Sequence, residues 1–374
     1  MKPAPIIPFL DLNPMHQEIK DEMQAVYQKV YDSNWFVLGE QLNDFERNYA
    51  DYNHAKYAIG VSSGLDALFL SLKALNIKEG DSVIVPSNTF IATALAVSHT
   101  GATLVFAEPD INTYNITGES IQKAIRKDTK AVIPVHLYGQ ACKMDDIMHV
   151  AAEHNFFVLE DNAQAHGATF DDKLTGSFGL ISATSFYPGK NIGALGDGGA
   201  VVTNDEALAQ NVRMLRNYGF SQKYHSQLIG YNMRLDELQA GFLSVKLRHI
   251  KNWTKQRQEI ASWYDELLED VGDLITPMVE NYSTHVYHLY VIRTRYRDQL
   301  KEHLQKFGVG TLIHYPVPPH LQPAYSSLGY QKGDLPIAEE LSETCLSLPL
   351  WPGLTRDDVA YVCKIIEKFY QKIL

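Results

Sequence analysis

Lys190 closes the run SFYPGK at 185–190 and opens NIGALGDGGA at 191–200, a stretch holding four glycines. Glycines let a backbone come close to a ligand or take positive φ, and a lysine shielded from bulk water can lose its proton and become a nucleophile. An arbitrary lysine is a solvated surface charge, which leaves these Pro-Gly and Gly-rich flanks unexplained. Upstream, FFVLED at 156–161 is an apolar run ending in two carboxylates. The carboxyl ends of such strands are where α/β proteins bind ligands. Asp161 there can cap a helix, or keep a neighbouring pyridine nitrogen protonated so that the ring withdraws electrons. Gln164, in the same turn, can reach a phenolic oxygen. VSSGLDA at 61–67 reads as a strand passing into a helix. The amides of Gly64 and Leu65 would then face an anion at a helix N-terminus, although taken alone such a turn is more often an ordinary N-cap. In combination, these segments supply the amine, the acidic partner and the phosphate cradle that a pyridoxal phosphate cofactor requires.

The elements that must position these residues follow from hydrophobic patterning. Between residues 57 and 217, short Val- and Ile-rich runs alternate with helical segments, the pattern of a mostly parallel sheet covered by helices. Strands are expected at 57–61, 82–85, 103–106, 131–135, 156–159, 183–186 and 200–203. Helices are expected to begin near Gly64, Thr89, Ser120, Lys143 and Asp205. Residues 235–268 read as one long helix, and no Gly or Pro occurs from Phe242 to Asp270. Beyond it, HVYHLYVIRT suggests a strand, RDQLKEHLQKFG a helix ending at Gly308, and the last twenty residues a C-terminal helix. The organisation expected is a large α/β cofactor-binding domain over 1–250, with an N-terminal segment at 1–15, and a small α+β domain over 251–374. HYPVPPHLQP at 314–323 has four prolines in ten residues, so its backbone is stiff.

Composition narrows the alternatives. With 33 Lys and Arg against 44 Asp and Glu, the net charge is −11, which disfavours nucleic acid as a partner. Apolar stretches are interrupted well short of a bilayer span, and residues 1–12 contain three prolines and Asp11, so neither membrane insertion nor a signal peptide is expected. A cytoplasmic protein is expected. Cys142, Cys345 and Cys363 are too far apart for a CxxC pair and are expected as buried thiols. The 14 histidines form no HExxH motif, and no metal site is expected.

Six ordered motifs carry a resemblance that covers nearly the whole chain: GVSSGLDAL (60–68), PSNTFIAT (86–93), EDNAQAHGA (160–168), SFYPGKNIGALGDGGA (185–200), GYNMRLDELQA (230–240) and HYPVPPH (314–320). In these the sequence resembles the DegT/DnrJ/EryC1/StrS sugar aminotransferases, fold-type-I pyridoxal phosphate enzymes. The resemblance implies that Lys190 carries the cofactor as a Schiff base, which passes through the pyridoxamine form in turnover. It implies that Asp161 pairs with the pyridinium and that Gln164 contacts the phenolic oxygen. The Gly64 and Leu65 amides with Ser185 would hold the phosphate, and Phe90 would lie against the ring. Asn232 would reach the phosphate from the neighbouring subunit of a homodimer. Many members carry Thr where this chain has Leu65, so a hydroxyl contact is lost there.

The same resemblance implies a nucleotide-linked keto sugar as acceptor and glutamate as donor. GALGDGGA after the lysine is more similar to the branch acting at C-3 than to the C-4 branch, where GEGG is more usual. dTDP-3-oxo-6-deoxyhexoses are the expected substrates, giving 3-amino-3,6-dideoxyhexoses for bacterial surface glycans such as lipopolysaccharide O-antigen. A UDP-3-oxo-glucuronate or a 4-oxo sugar is the alternative. Arg216, Lys223 and Arg234, with Tyr218, Tyr224 and Tyr231, form a locally basic, aromatic stretch suited to a sugar nucleotide. Tyr187, His314 and Tyr315 complete the expected substrate contacts. A sugar dehydratase of this fold carries histidine in place of the Schiff-base lysine, so Lys190 argues against it. Lys190, Asp161 and Gln164 together argue against a non-catalytic sensor.

Overall fold

In the computed structural model, residues 5–373 are described, so the start of the expected 1–15 segment lies outside the described residues. The central sheet has seven strands. In chain order they are β1 (Tyr57–Val61), β2 (Ser82–Pro86), β3 (Thr103–Ala107), β4 (Thr129–Val132), β5 (Phe157–Asp161), β6 (Ile181–Ser185) and β7 (Gly199–Thr203). Their spatial order is β1-β7-β6-β5-β4-β2-β3. β7 is antiparallel to both of its neighbours, while every other pairing is parallel. The sheet is thus α/β and mostly parallel, and β1 to β6 all end at the same edge.

Strand alternation sends Val83 and Val85 to one face, where they meet Leu68 and Leu72 of the helix Gly64–Ala74. Ile84 faces the other way, toward Ile147 and Val150 of the helix Met144–His154. With both faces covered, the strands are nearly continuous apolar runs, as parallel sheets require. β4 stops at Val132, short of the expected 135, because Pro134 has no N–H to offer a ladder.

A helix of 31 residues, Glu237–Leu267, joins two cores. Ala240, Leu243 and Ile250 pack with Ala58, Ala200 and Val202 beneath the central sheet. Ile260, Ala261 and Tyr264 pack with a second core built on the antiparallel pair Tyr290–Arg293 and Cys345–Leu348 and the helix Arg356–Ile373. Position 250, the expected domain boundary, therefore falls inside a continuous helix. The strand expected from HVYHLYVIRT is confined to Tyr290–Arg293. Before it the chain turns at Tyr287, whose φ is 43°, and His285 Nδ1 accepts the Tyr287 amide at 2.9 Å. The three cysteines are free and buried.

The first turn of the long helix also anchors an earlier one. Buried Glu237 accepts the amides of Gly39 at 2.7 Å, Gln41 at 2.9 Å and Leu42 at 3.1 Å, at the start of the helix Glu40–Tyr52. A carboxylate there satisfies free N–H groups and complements the helix dipole. Glu237→Ala strands these donors and should lower unfolding stability by about 2–4 kcal/mol, read as an earlier urea midpoint. An unchanged midpoint would show that water replaces the carboxylate.

Candidate active site

The carboxyl ends of β1, β5 and β6 gather the residues singled out in the sequence. Val61 lies opposite Gly199, and Gly199 lies opposite Ser185, so the ends of β1 and β6 are level. The chain leaves β1 through Ser62 and Ser63, whose Oγ caps the next helix by accepting the Asp66 amide at 3.1 Å. A Cβ on Gly64 would meet Ser185 Cβ at 2.5 Å, so only glycine lets the helix start sit this close to Ser185. Amides at a helix N-terminus facing a serine hydroxyl make a cradle suited to a phosphate.

Asp161 ends β5 and is buried. Its Oδ2 accepts from Thr93 Oγ1 at 3.0 Å and its Oδ1 from the Ala163 amide at 3.1 Å. Burial raises its carboxyl above the usual range, against the pull of those donors and of the Lys190 charge. A cation beside it would favour its anion, and a protonated pyridine nitrogen is such a cation. Lys190 sits mostly buried after the loop from β6, its amide bonded to the Tyr187 carbonyl at 2.8 Å. Burial pushes its ammonium down to about 8, with Asp161 opposing. That brings an amine nucleophile within reach of neutral pH. Buried Gln164 accepts the Tyr138 amide at 2.8 Å and donates from Nε2 to Tyr315 Oη at 3.1 Å. The Phe90 ring is half exposed and lies 5.3 Å from that of Tyr315.

The residues expected at the sugar nucleotide are distributed differently. Tyr187 is exposed beside Lys190. His314 Nδ1 lies 2.7 Å from Ser347 Oγ, and burial lowers its imidazole to about 4, helped by the Lys190 charge, so it stays neutral. Arg234 donates to Asn217 Oδ1 at 3.1 Å and lies over the Tyr218 ring, while Lys223 is exposed in a hairpin turn over Tyr224. Asn232 is exposed, two residues from Arg234. Arg216 corrects the expectation of a basic cluster. It is buried and turned inward, bonded to Glu46 and to the Gly60 carbonyl at 2.6 Å, because a buried guanidinium needs a carboxylate partner. Thr93 and Tyr138 were not singled out in the sequence. Thr93 is on a quoted motif but its hydroxyl gives no local signal, and Tyr138 is marked only by the glycine that follows it.

A family model described as the DegT/DnrJ/EryC1/StrS aminotransferase family matches residues 17–367. The chain belongs to that family. It is 46% identical to the dTDP-3-amino-3,6-dideoxy-alpha-D-galactopyranose transaminase of Aneurinibacillus thermoaerophilus, over 97% of this chain and 99% of that one. It is 43% identical to a pleiotropic regulatory protein of Geobacillus stearothermophilus, over 98% of this chain and 99% of that one. Among solved structures, S. venezuelae DesV, in complex with a ketimine intermediate, superposes with a TM-score of 0.96 at 43% identity, covering 98% of this chain and 99% of that one.

The aminotransferase uses pyridoxal phosphate, and its residues fit that group on their own geometry. The Gly64 cradle suits the phosphate, buried Asp161 calls for a cation, and Lys190 offers an amine of lowered basicity. Because the folded state depresses the Lys190 ammonium, the reactive neutral amine grows as pH rises through about 8, well before 10.5. The rate at which cofactor-free protein takes up pyridoxal phosphate should therefore climb with a midpoint near 8, followed by visible absorbance. A rate still climbing toward the pH of a free lysine would remove the argument from burial.

Proposed function

We propose that this aminotransferase moves the amino group of L-glutamate to C-3 of a dTDP-3-oxo-6-deoxyhexose, releasing a dTDP-3-amino-3,6-dideoxyhexose. The observation that supports the reading is the level carboxyl edge: the Gly64–Ser185 cradle lies at the ends of β1 and β6, Asp161 ends β5, and Lys190 follows the end of β6. The choice of acceptor is supported by the named activity of the relative that is 46% identical, and by the GDGG run after Lys190.

Each side chain then has a task. The Gly64 and Leu65 amides with Ser185 hold the phosphate. Phe90 bears on the ring, Gln164 donates to the phenolic oxygen, and Asp161 keeps the ring nitrogen protonated. Bound there, pyridoxal phosphate supplies the group that carries nitrogen between the substrates and the electron sink for the proton shift. Lys190, as its neutral amine, takes that proton from one carbon and returns it to another. Tyr187 and His314 lie toward the hexose, and Lys223 and Arg234 toward the diphosphate.

We place a second copy of the chain so that Asn232, which is exposed, reaches from one protomer to the phosphate of the other. Among the described residues no helix is long and apolar enough to cross a membrane. We place the reaction in the cytoplasm, feeding surface glycans.

The deciding experiment incubates the holoenzyme with glutamate and a panel of dTDP- and UDP-linked 3-oxo and 4-oxo sugars, and locates the new amine by NMR. Amination at C-3 of the dTDP-6-deoxyhexose is expected; amination at C-4, or preference for UDP-3-oxo-glucuronate, would replace this acceptor. Lys190→Ala should lower turnover by about 100-fold or more and abolish borohydride fixation of the cofactor. Turnover near wild type would remove Lys190 from the chemistry. Mixing the Asn232→Ala and Lys190→Ala proteins, each inactive alone, should restore part of the activity in mixed dimers. Absence of recovery would place Asn232 outside the shared site.

A further inference from the structure

We infer that Tyr315 is a positioning residue: its hydroxyl anchors the Gln164 amide so that a second hydrogen on Nε2 points to the cofactor's phenolic oxygen. This rests on the reading above of Lys190, Asp161 and Gln164 as the residues that hold pyridoxal phosphate.

Gln164 has an oxygen that only accepts and a nitrogen that only donates, through two hydrogens. The Tyr138 N–H lies 2.8 Å from Oε1, so the amide cannot be turned over without setting two donors face to face. Nε2 must then lie on the far side, where one hydrogen goes to Tyr315 Oη at 3.1 Å. The other is left for a ligand oxygen. With both ends tied, the direction of that remaining N–H is set by protein and not by the ligand.

The anchor is itself held. Tyr138 takes a left-handed φ of 58°, uncommon for a residue with a Cβ, and this turns its amide toward Gln164. The preceding amide, Leu137 N–H, is bonded to Asn115 Oδ1 at 3.0 Å. The Tyr138 hydroxyl donates to the His314 carbonyl. Tyr138, Gln164 and the dipeptide His314–Tyr315 thus close a ring of three hydrogen bonds. His314 is fixed from outside by Ser347 at 2.7 Å. Burial keeps the Tyr315 phenol protonated, with the Gln164 hydrogen bond opposing and the Asp161 charge adding. The Tyr315 ring meanwhile packs on Phe90, at 41° between planes. One side chain so braces both the amide for the phenolic oxygen and the aromatic that bears on the cofactor ring. A hydroxyl spent on Gln164 is not spent on the hexose, which separates this role from a substrate contact.

The test is the visible absorbance of the bound cofactor as a function of pH, without substrate, in wild type, Tyr315→Phe, Gln164→Leu and the double variant. Phenylalanine keeps the packing on Phe90 and deletes only the anchor. A hydrogen bond to the phenolic oxygen favours its anion and holds the midpoint down, so Tyr315→Phe should move the midpoint up by about half to one pH unit. Gln164→Leu should move it further, and the double variant no further than Gln164→Leu. In Tyr315→Phe, kcat should fall while the KM for the sugar nucleotide stays within about twofold. An unchanged midpoint in Tyr315→Phe, shifts that add in the double variant, or a raised sugar KM with an unaltered spectrum would overturn the inference. A wild-type protein that binds no cofactor would overturn it together with the reading it rests on, and that failure appears before any substitution is made.

Discussion

Gly199 lies level with Val61 on one side and Ser185 on the other, and the site depends on that row. A Cβ at Gly199 would stand 2.3 Å from the Ser63 carbonyl oxygen. Its absence lets the turn after β1 fold across the end of β7 and seat Gly64 against Ser185, again without room for a Cβ. Because β7 is antiparallel to both neighbours, β1 and β6 leave the sheet in the same direction as β2, β4 and β5. The cradle, the acid and the amine then open on one edge. Backbone packing sets these distances, which gives the pre-organisation that a phosphate-bearing group needs and that surface loops supply poorly.

Two adjacent carboxylates at the end of β5 do opposite work, and strand alternation is the cause. Asp161 faces the site and is held by Thr93 and the Ala163 amide. Glu160 faces away and is fully buried. It accepts the amides of Gly176 at 2.6 Å and of Phe178 and Gly179 at 2.7 Å, and faces His136 Nε2 at 3.0 Å. So many donors on one carboxylate fold residues 176–179 against the sheet and leave it no lone pair for a ligand. Lys246 has a comparable structural place on the long helix, donating to the Gly193 carbonyl at 2.6 Å in the loop after Lys190. The flexible-looking glycine run is thereby tied to the helix that joins the two cores.

Much of this was legible in the sequence because it is local. The central strands are short apolar runs, and Lys190, Asp161, Gln164, Gly64 and Ser185 each stand beside a strand end or a turn that can be read from neighbouring residues. The helices Lys20–Ser33 and Glu40–Tyr52 were not anticipated; they are polar segments whose order comes from distant partners such as Glu237. The strand Cys345–Leu348 was missed as well, since four residues carry little periodicity of their own. Arg216 was misread for the same reason. Its partner Glu46 is 170 positions away, and a sequence shows a charge without showing what it faces.

Desolvation explains how the site can be built and still be used. Lys190 and Asp161 both lie where burial works against their charge, and each charge offsets that burial only in part. Such an arrangement costs the empty protein stability, as buried charges without full partners do. A ligand with a cationic ring nitrogen relieves Asp161, and one that bonds covalently to Lys190 removes the ammonium altogether. A ligand that binds only the folded state then makes the loaded protein the more stable by mass action. The same logic separates the two halves of the molecule. The central sheet holds Lys190 and Asp161, whereas His314 and Tyr315 come from the C-terminal half and are bonded to Tyr138 and Gln164. On the proposed roles of Gln164 and Tyr315, contact between the halves becomes a condition for orienting the cofactor as well as for enclosing the sugar.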